Sequence, residues 1–181
     1  MTHTAEFLIF GATGQQGGAV ARTLRRAGRQ VRAFVRDPHG EMARALTTEG
    51  IALAVGDLFD RPSIDRAMAG IQGVFSVQTS SPAGEISDEQ EVMQGKAIAD
   101  SALAAGVRHL VYSSSGAAGK GPTGMGHFDS KSKIEDYLRA FGACQGSCRL
   151  SGFMRPAFPA PDLATLLPAG SSFAWPLTSG A

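Results

Sequence analysis

Four apolar residues, Phe7 to Phe10 (FLIF), run straight into the turn GATGQQGG, with glycines at positions 11, 14 and 17. An unbroken apolar run marks a strand buried on both faces, and the residues after the turn, Ala19 to Ala27, carry a helical pattern. A strand that passes directly into a helix through G-x-x-G-x-x-G needs glycine for mechanical reasons. The chain bends sharply, its backbone approaches a ligand closely, and the new helix packs tightly on the strand. Amide groups at the start of such a helix, on the positive end of its dipole, receive an anion such as a pyrophosphate. The chain holds 23 glycines, so a purely structural turn is the plain alternative. The setting of Gly11, Gly14 and Gly17, after the first strand and at the head of a helix, favours dinucleotide binding.

The rest of the chain repeats the alternation. Strands are expected at Val31 to Val35, Ile51 to Val55, Val74 to Val77 and Val107 to Tyr112. Helices are expected at Glu41 to Glu49, from Pro62 to Ala69, from a Ser87/Gln90 capping box to Gly106, and at Phe128 to Phe141. This order predicts an α/β protein: a Rossmann-type doubly wound parallel sheet with helices on both faces, over residues 1–150. Residues 151–181 read differently. Pro156, Pro159, Pro161, Pro168 and Pro176 fall there, so regular structure is short and broken, with Asp162 to Leu167 as one candidate helical turn. Ser147 to Leu150 is a candidate sixth strand.

With 17 basic and 16 acidic residues the formal net charge is +1, which gives no footprint for direct nucleic-acid binding. No apolar run approaches the roughly 18 residues of a membrane span, and the first ten residues do not resemble a leader. A cytoplasmic protein with no membrane partner is the expectation. Cys144 and Cys148 are read as two thiols, and no metal site is expected.

The end of the second strand, FVRDP, bears on the choice of cofactor. An acidic residue there accepts hydrogen bonds from an adenosine ribose, and an arginine pairs with a 2′-phosphate. Arg36 precedes Asp37, so NADP(H) is favoured over NAD(H), the alternative being two solvated loop charges. Asp57, after the third strand, is placed either to meet an adenine edge or to cap a turn.

GATGQQGGAVARTL, VRDP, GDL, DEQEVMQGKAIADSALAAGVRHLVYSSS and HFDSKSKIEDYLR occur in this order, and together the chain resembles the NmrA-like proteins over residues 5–150. These form an atypical branch of the short-chain dehydrogenase/reductase superfamily. The resemblance implies a Rossmann fold that binds NADP(H), in members that are either redox-sensing regulators with a protein partner or NAD(P)H-dependent quinone-type reductases. It implies cofactor contacts from Gly11, Ala12, Thr13, Gly14, Gln15, Gln16, Arg36, Asp57, Leu58, Thr79 and Lys131. Phe153, in a segment similar to one that passes the nicotinamide, joins them. In the parent superfamily a Tyr-x-x-x-Lys pair and a Ser form the active site. Here His127 takes the Tyr position, Lys131 keeps its own, and Ser113 to Ser115 stand where the Ser belongs, Ser114 being the candidate. A neutral-range imidazole, with pKa about 6.5, can donate a proton. The plain reading is that His127 caps or packs at the helix start. Ordinary carbonyl reduction is not expected, whereas a quinone accepts hydride with less help from an acid. Family members run on past the point where this chain ends, into a region that closes the substrate cleft, and residues 151–181 are expected to be its remnant. The favoured function is a dinucleotide sensor or regulator, the alternative a reductase of quinones or similar electrophiles; a homodimer is one means of covering the surface that such a remnant leaves.

Overall fold

The computed structural model describes residues 6–78, 86–114 and 122–140. They alternate without exception: β1 (Glu6–Ile9), α1 (Gln15–Arg26), β2 (Gln30–Val35), α2 (Glu41–Thr48), β3 (Ala52–Val55), α3 (Arg61–Met68), β4 (Gly73–Ser76), α4 (Asp88–Ala104), β5 (His109–Tyr112) and α5 (Gly126–Ala140). The five strands form one sheet in the order β3-β2-β1-β4-β5, and every neighbouring pair is parallel. The chain thus begins in the middle of the sheet and winds outward to β3. It then returns to the far side of β1 for β4 and β5. This is the doubly wound architecture expected from the sequence, and the reversal between β1 and β4 opens a crevice beyond their carboxyl ends.

Alternation along each strand sorts the core into two layers. Leu8 and Phe10 face Ile64, Met68, Ile98, Ile134 and Leu138 of α3, α4 and α5. Phe7 and Ile9 face Val20, Ala21, Leu24, Ala43 and Leu46 of α1 and α2. Because both faces of β1 are covered, its side chains show no polar alternation. β3, at an edge, is half open to solvent, and Val55 is exposed.

One charged residue inside β2 has a structural task. Arg32 Nη1 donates to the carbonyls of Ala67 (2.8 Å) and Ala69 (3.2 Å) at the end of α3, and its Nη2 pairs with Glu6 at 2.8 Å. A guanidinium there satisfies carbonyls that a helix terminus leaves unpaired.

Element ends differ from expectation in instructive ways. The helix α1 starts at Gln15, four residues before Ala19, because Gly17 and Gly18 are needed inside it for packing although glycine favours helix poorly. β5 starts at His109, since the Val107 N–H bonds back to the Ala102 carbonyl and closes α4. The capping box holds: Gln90 N–H donates to Ser87 Oγ at 3.2 Å, and Ser87 N–H to Gln90 Oε1 at 2.8 Å. The expected boundary at residue 150, the candidate strand Ser147 to Leu150, the candidate turn at Asp162 and both cysteines lie outside the described residues.

α4 and α5 approach each other closely at Gly95. A Cβ on this residue would stand 2.6 Å from Ile134 Cδ1, and Ile134 is fully buried. Gly95→Leu is therefore expected to lower the unfolding free energy in urea by about 2–3 kcal/mol through overpacking. An unchanged midpoint would show that the two helices can part without cost.

Candidate functional site

β1 leaves the sheet at Phe10, whose N–H still bonds to the Phe75 carbonyl of β4 at 2.9 Å. Gly11 then takes φ +68°, a left-handed conformation, with so little room that a Cβ would lie 2.6 Å from Val77 Cγ1. The chain folds back at once, and the Gly14 N–H bonds to the Gly11 carbonyl at 3.0 Å. Gly17 sits on that same carbonyl. A Cβ there would be 2.3 Å from the Gly11 oxygen and 2.5 Å from its carbon, so no side chain fits.

The amino end of α1 is left open by the residues that form it. Its cap is Gly14, which has no side chain to bond the first amides, and its first turn contains no acidic residue. Arg25 and Arg26 occupy the last turn, in keeping with the dipole. Unpaired amides and a partial positive charge together make an anion site, and the close packing of Gly17 on the Gly11 carbonyl holds those amides at the turn.

Around this turn lies a cleft of about 510 Å³, at the carboxyl ends of β1, β2, β3 and β4. Gly11, Thr13, Gly14, Gln15, Gln16 and Gly17 line it, with Arg36 from the tip of β2 and Asp57 and Leu58 from the end of β3. The sequence singled out each of these. Ala12 does not face the cleft; it is fully buried in the α1/α2 layer. Asp37 is turned into its own loop, its Oδ1 accepting from the His39 N–H at 2.8 Å. Arg36 is exposed and, among the described residues, pairs with no carboxylate. Asp57 closes a turn by accepting from the Phe59 N–H at 2.8 Å through Oδ1, while its place in the wall is kept. Further wall comes from residues that sequence reasoning passed over: Phe10, Phe34, Val35, Phe59, Val77, Gln78, Ile86 and Gln94.

The candidate catalytic set is not gathered in one place. His127 is exposed at the start of α5, with its ring against that of Phe128 at a centroid distance of 4.4 Å. It does not line the cleft. Lys131 lies behind the wall: its Nζ donates to the carbonyl of Gln78 at 2.9 Å and pairs with Glu91 of α4. Ser114 is buried, and its hydroxyl donates to Glu135 Oε2 at 2.8 Å. Its neighbour Ser113 reaches the glycine turn instead, donating to Gln16 Oε1 at 2.7 Å. Thr79 and Phe153 lie outside the described residues. Among the described residues no cluster of His, Cys, Asp or Glu could hold a metal ion.

Beneath these residues is a polar layer with no obvious sequence signal. Glu91 and Glu135 are buried, and so are Ser76, Gln78, Ser130 and Tyr112. Gln78 Nε2 donates to Ser76 Oγ at 2.6 Å, yet its Oε1 and the hydroxyl of Tyr112 are buried without a partner among the described residues. Burial, and after it the carboxylates of Glu91 and Glu135, push the Tyr112 phenol well above its usual value of 10.0. At the head of α5, Asp129 folds back on the preceding loop, and the Thr123 amide and hydroxyl and the Gly124 amide hold its carboxyl below the usual range.

A parallel sheet in this order, with a glycine-built cradle at its switch point, defines the Rossmann type of fold. Within that class the chain belongs to the NmrA-like family, whose model matches residues 3–177. It is 36% identical over 151 residues to the NmrA-like family domain-containing oxidoreductase ptmS of Penicillium ochrochloron, an alignment that covers 79% of this chain and 45% of that protein. Among solved structures it is similar to an NADPH-dependent quinone oxidoreductase from Escherichia coli complexed with NADPH, with TM-score 0.65 and 27% identity, covering 81% of this chain and 48% of that one. It is equally similar to Nmra, a negative transcriptional regulator, with TM-score 0.65 and 28% identity over 78% of this chain and 44% of that one. The chain spans about half the length of these relatives. Among the described residues, no helix is long and apolar enough to cross a membrane.

Two outcomes follow from the geometry. Gly17→Ala forces a methyl group onto backbone atoms that have nowhere to go, and a stability loss of about 1–3 kcal/mol is expected in urea denaturation. Tyr112→Phe removes a buried hydroxyl that has no partner among the described residues and should raise stability by on the order of 1 kcal/mol at neutral pH. The raised phenol also sets a pH dependence. Above pH 10 the unfolded chain loses the Tyr112 proton while the folded chain keeps it, so folding stability falls as pH rises. Denaturation between pH 9 and 11 should thus show a steeper decline in wild type than in Tyr112→Phe, and parallel declines would contradict the buried phenol.

Proposed function

We propose that the protein binds a nicotinamide dinucleotide in this cleft, NADP(H) in preference to NAD(H), and acts as a dinucleotide sensor or regulator. The observation that carries the reading is the joining of three features in one cleft: the Gly11/Gly17 turn, the uncapped start of α1 and the cation of Arg36, which no carboxylate among the described residues meets. In this reading the pyrophosphate rests on the amides at the head of α1. Arg36 takes the 2′-phosphate, and Asp37, occupied by its own loop, does not compete for a ribose. Leu58 and Phe59 offer apolar surface to the base, and Thr13, Gln15 and Gln16 supply polar contacts beside the glycines. The E. coli quinone oxidoreductase, at 27% identity, was solved with NADPH, which supports the choice of ligand class.

The regulatory half of the reading rests on the dispersed candidate catalytic residues. No tyrosine stands at position 127, the imidazole there is turned to solvent, and Lys131 and Ser114 are each held by a buried carboxylate. A phenol that donates a proton beside a lysine has no counterpart among the described residues. A regulator of this kind passes the state of its ligand to a protein partner, and the similarity to Nmra, a negative transcriptional regulator, is in keeping with that.

The second reading is an NAD(P)H-dependent reductase of quinones or similar electrophiles. It is favoured by the oxidoreductase name of the Penicillium relative. A bound reduced nicotinamide would supply a hydride, and a quinone would take it up as a hydroquinone anion that draws its proton from water, without a positioned acid. The residues of this chain would then bind, orient and shield.

Calorimetry separates the first part of the proposal. NADPH should bind more tightly than NADH, and Arg36→Ala should cost NADPH about 1.5–3 kcal/mol while leaving NADH nearly unchanged. Equal affinities for the two dinucleotides would remove the assignment of Arg36. Steady NADPH oxidation with a panel of quinones would replace the sensor by the reductase, and tight binding without turnover would retire the reductase for those acceptors.

A further inference from the structure

The burial of Glu91 needs an explanation that the sheet and its core do not provide. It belongs to the first turn of α4, is fully buried, and uses both carboxylate oxygens. Oε2 accepts from the Ser130 hydroxyl at 2.5 Å, and Oε1 takes the Lys131 ammonium. The placement follows from the helix contact described above. Glu91 and Gly95 are one turn apart on α4, and Ser130 and Ile134 one turn apart on α5. Where Ile134 fills the space that Gly95 leaves, the preceding turns bring Glu91 against Ser130 and Lys131.

A buried ion pair is weak support for stability, because desolvation offsets most of the attraction. Its better-attested use is to fix geometry. Lysine carries a compact charge on a flexible four-carbon stem, and left alone it extends to water. Here the stem is bent inward, its side chain only 18% exposed, and Nζ also donates to the Gln78 carbonyl at 2.9 Å. Gln78 lines the cleft just beyond β4, so the ammonium stands directly behind the wall. An ammonium has three donors, and among the described residues two are used.

We infer that Glu91 is the positioning residue for Lys131: its carboxylate holds the ammonium at the carboxyl end of β4, with its third N–H kept for a hydroxyl group of a ligand in the cleft. The inference rests on the dinucleotide reading for the identity of that ligand, a ribose being the hydroxyl-bearing group at hand. Ser130 steadies the carboxylate from the same turn of α5. Glu91 touches neither ligand nor reacting atoms and acts through Lys131 alone.

The test compares wild type, Glu91→Gln, Lys131→Gln and the double variant as full chains, with two readouts. Lysine acetylation by an N-hydroxysuccinimide ester, located by peptide mass spectrometry, reports where Lys131 is held, with exposed Lys133 on the same helix as internal reference. Calorimetry with NADPH reports the consequence. Glu91→Gln should speed Lys131 acetylation several-fold relative to Lys133 and weaken NADPH binding about tenfold, with no further weakening when Lys131 is already Gln. Unchanged acetylation of Lys131, or equal weakening in both backgrounds, overturns the inference, since a merely structural carboxylate would act without Lys131. Should Glu91→Gln lose its thermal unfolding transition, Glu91→Asp, with its charge drawn back by one methylene, carries the same comparison. Faster acetylation with weaker binding then supports the inference, and no change in either overturns it. Wild type that binds neither NADPH nor NADH overturns the dinucleotide reading, while acetylation that ignores Glu91 overturns this inference whatever the affinity.

Discussion

The contact between the Gly11 carbonyl and the Cα of Gly17 underlies both the packing and the cleft. With the two in touch, β1 passes into α1 within five residues, and α1 lies close enough to seat Val20, Ala21 and Leu24 over Phe7 and Ile9. A side chain at position 17 would push the helix off its own strand. The same contact turns the amino end of α1 toward the crevice, where a glycine cap leaves the first amides unbonded. An N-cap serine or aspartate would stabilise the helix in isolation by about 1 kcal/mol relative to alanine, and glycine gives most of that without filling the cradle. Stability of the layer and access for an anion therefore come from one set of residues and cannot be varied separately.

How much of this a reader of the sequence could see depends on whether a residue's role is set locally. Strands β1, β2 and β4 announce themselves because both faces are covered and each carries an apolar run, Arg32 of β2 being the exception that serves the end of α3. The glycine turn, Arg36 and Asp57 are legible because each sits at a strand end, where chain order alone fixes its place at the crevice. Gln78, Gln94 and Glu91 are different. Gln94 and Glu91 sit in a helix rich in polar residues, and nothing near them in sequence says which side faces inward. That is decided by Gly95 meeting Ile134, 39 positions later in the chain. His127 and Lys131 share a helix spacing, yet the structure divides them, one on the surface and one inside, because only the lysine has a buried carboxylate to pair with.

The two layers over the sheet are built from different materials. Under α1 and α2 the core is apolar throughout, from Val31 and Ala33 to Leu46. Under α4 and α5 the carboxyl half of the layer is polar: Ser130 bonds Glu91, Gln78 bonds Ser76 and Ser114 bonds Glu135, with the buried Tyr112 in the same layer. Such a layer is strong only where its members are satisfied, and Gln78 Oε1 and Tyr112 Oη, without partners among the described residues, mark its weak points. Gln78 stands just past the end of β4, in the cleft wall, and Tyr112 at the end of the neighbouring strand β5.

Charge is consequently uneven along the cleft. At the tip of β2, Arg36 is exposed and unpaired among the described residues, so its field extends into the opening. At the end of β4 the positive charge of Lys131 is met by Glu91 and contributes a directed hydrogen-bond donor more than a field. A ligand with several phosphates and a hydroxyl-bearing ring would find attraction at the first place and orientation at the second. A reaction that develops negative charge near Lys131 would find the balancing carboxylate already there. Under the proposed dinucleotide reading, a lysine so paired offers a hydrogen bond to a bound hydroxyl while its balanced charge lends less field to an oxyanion.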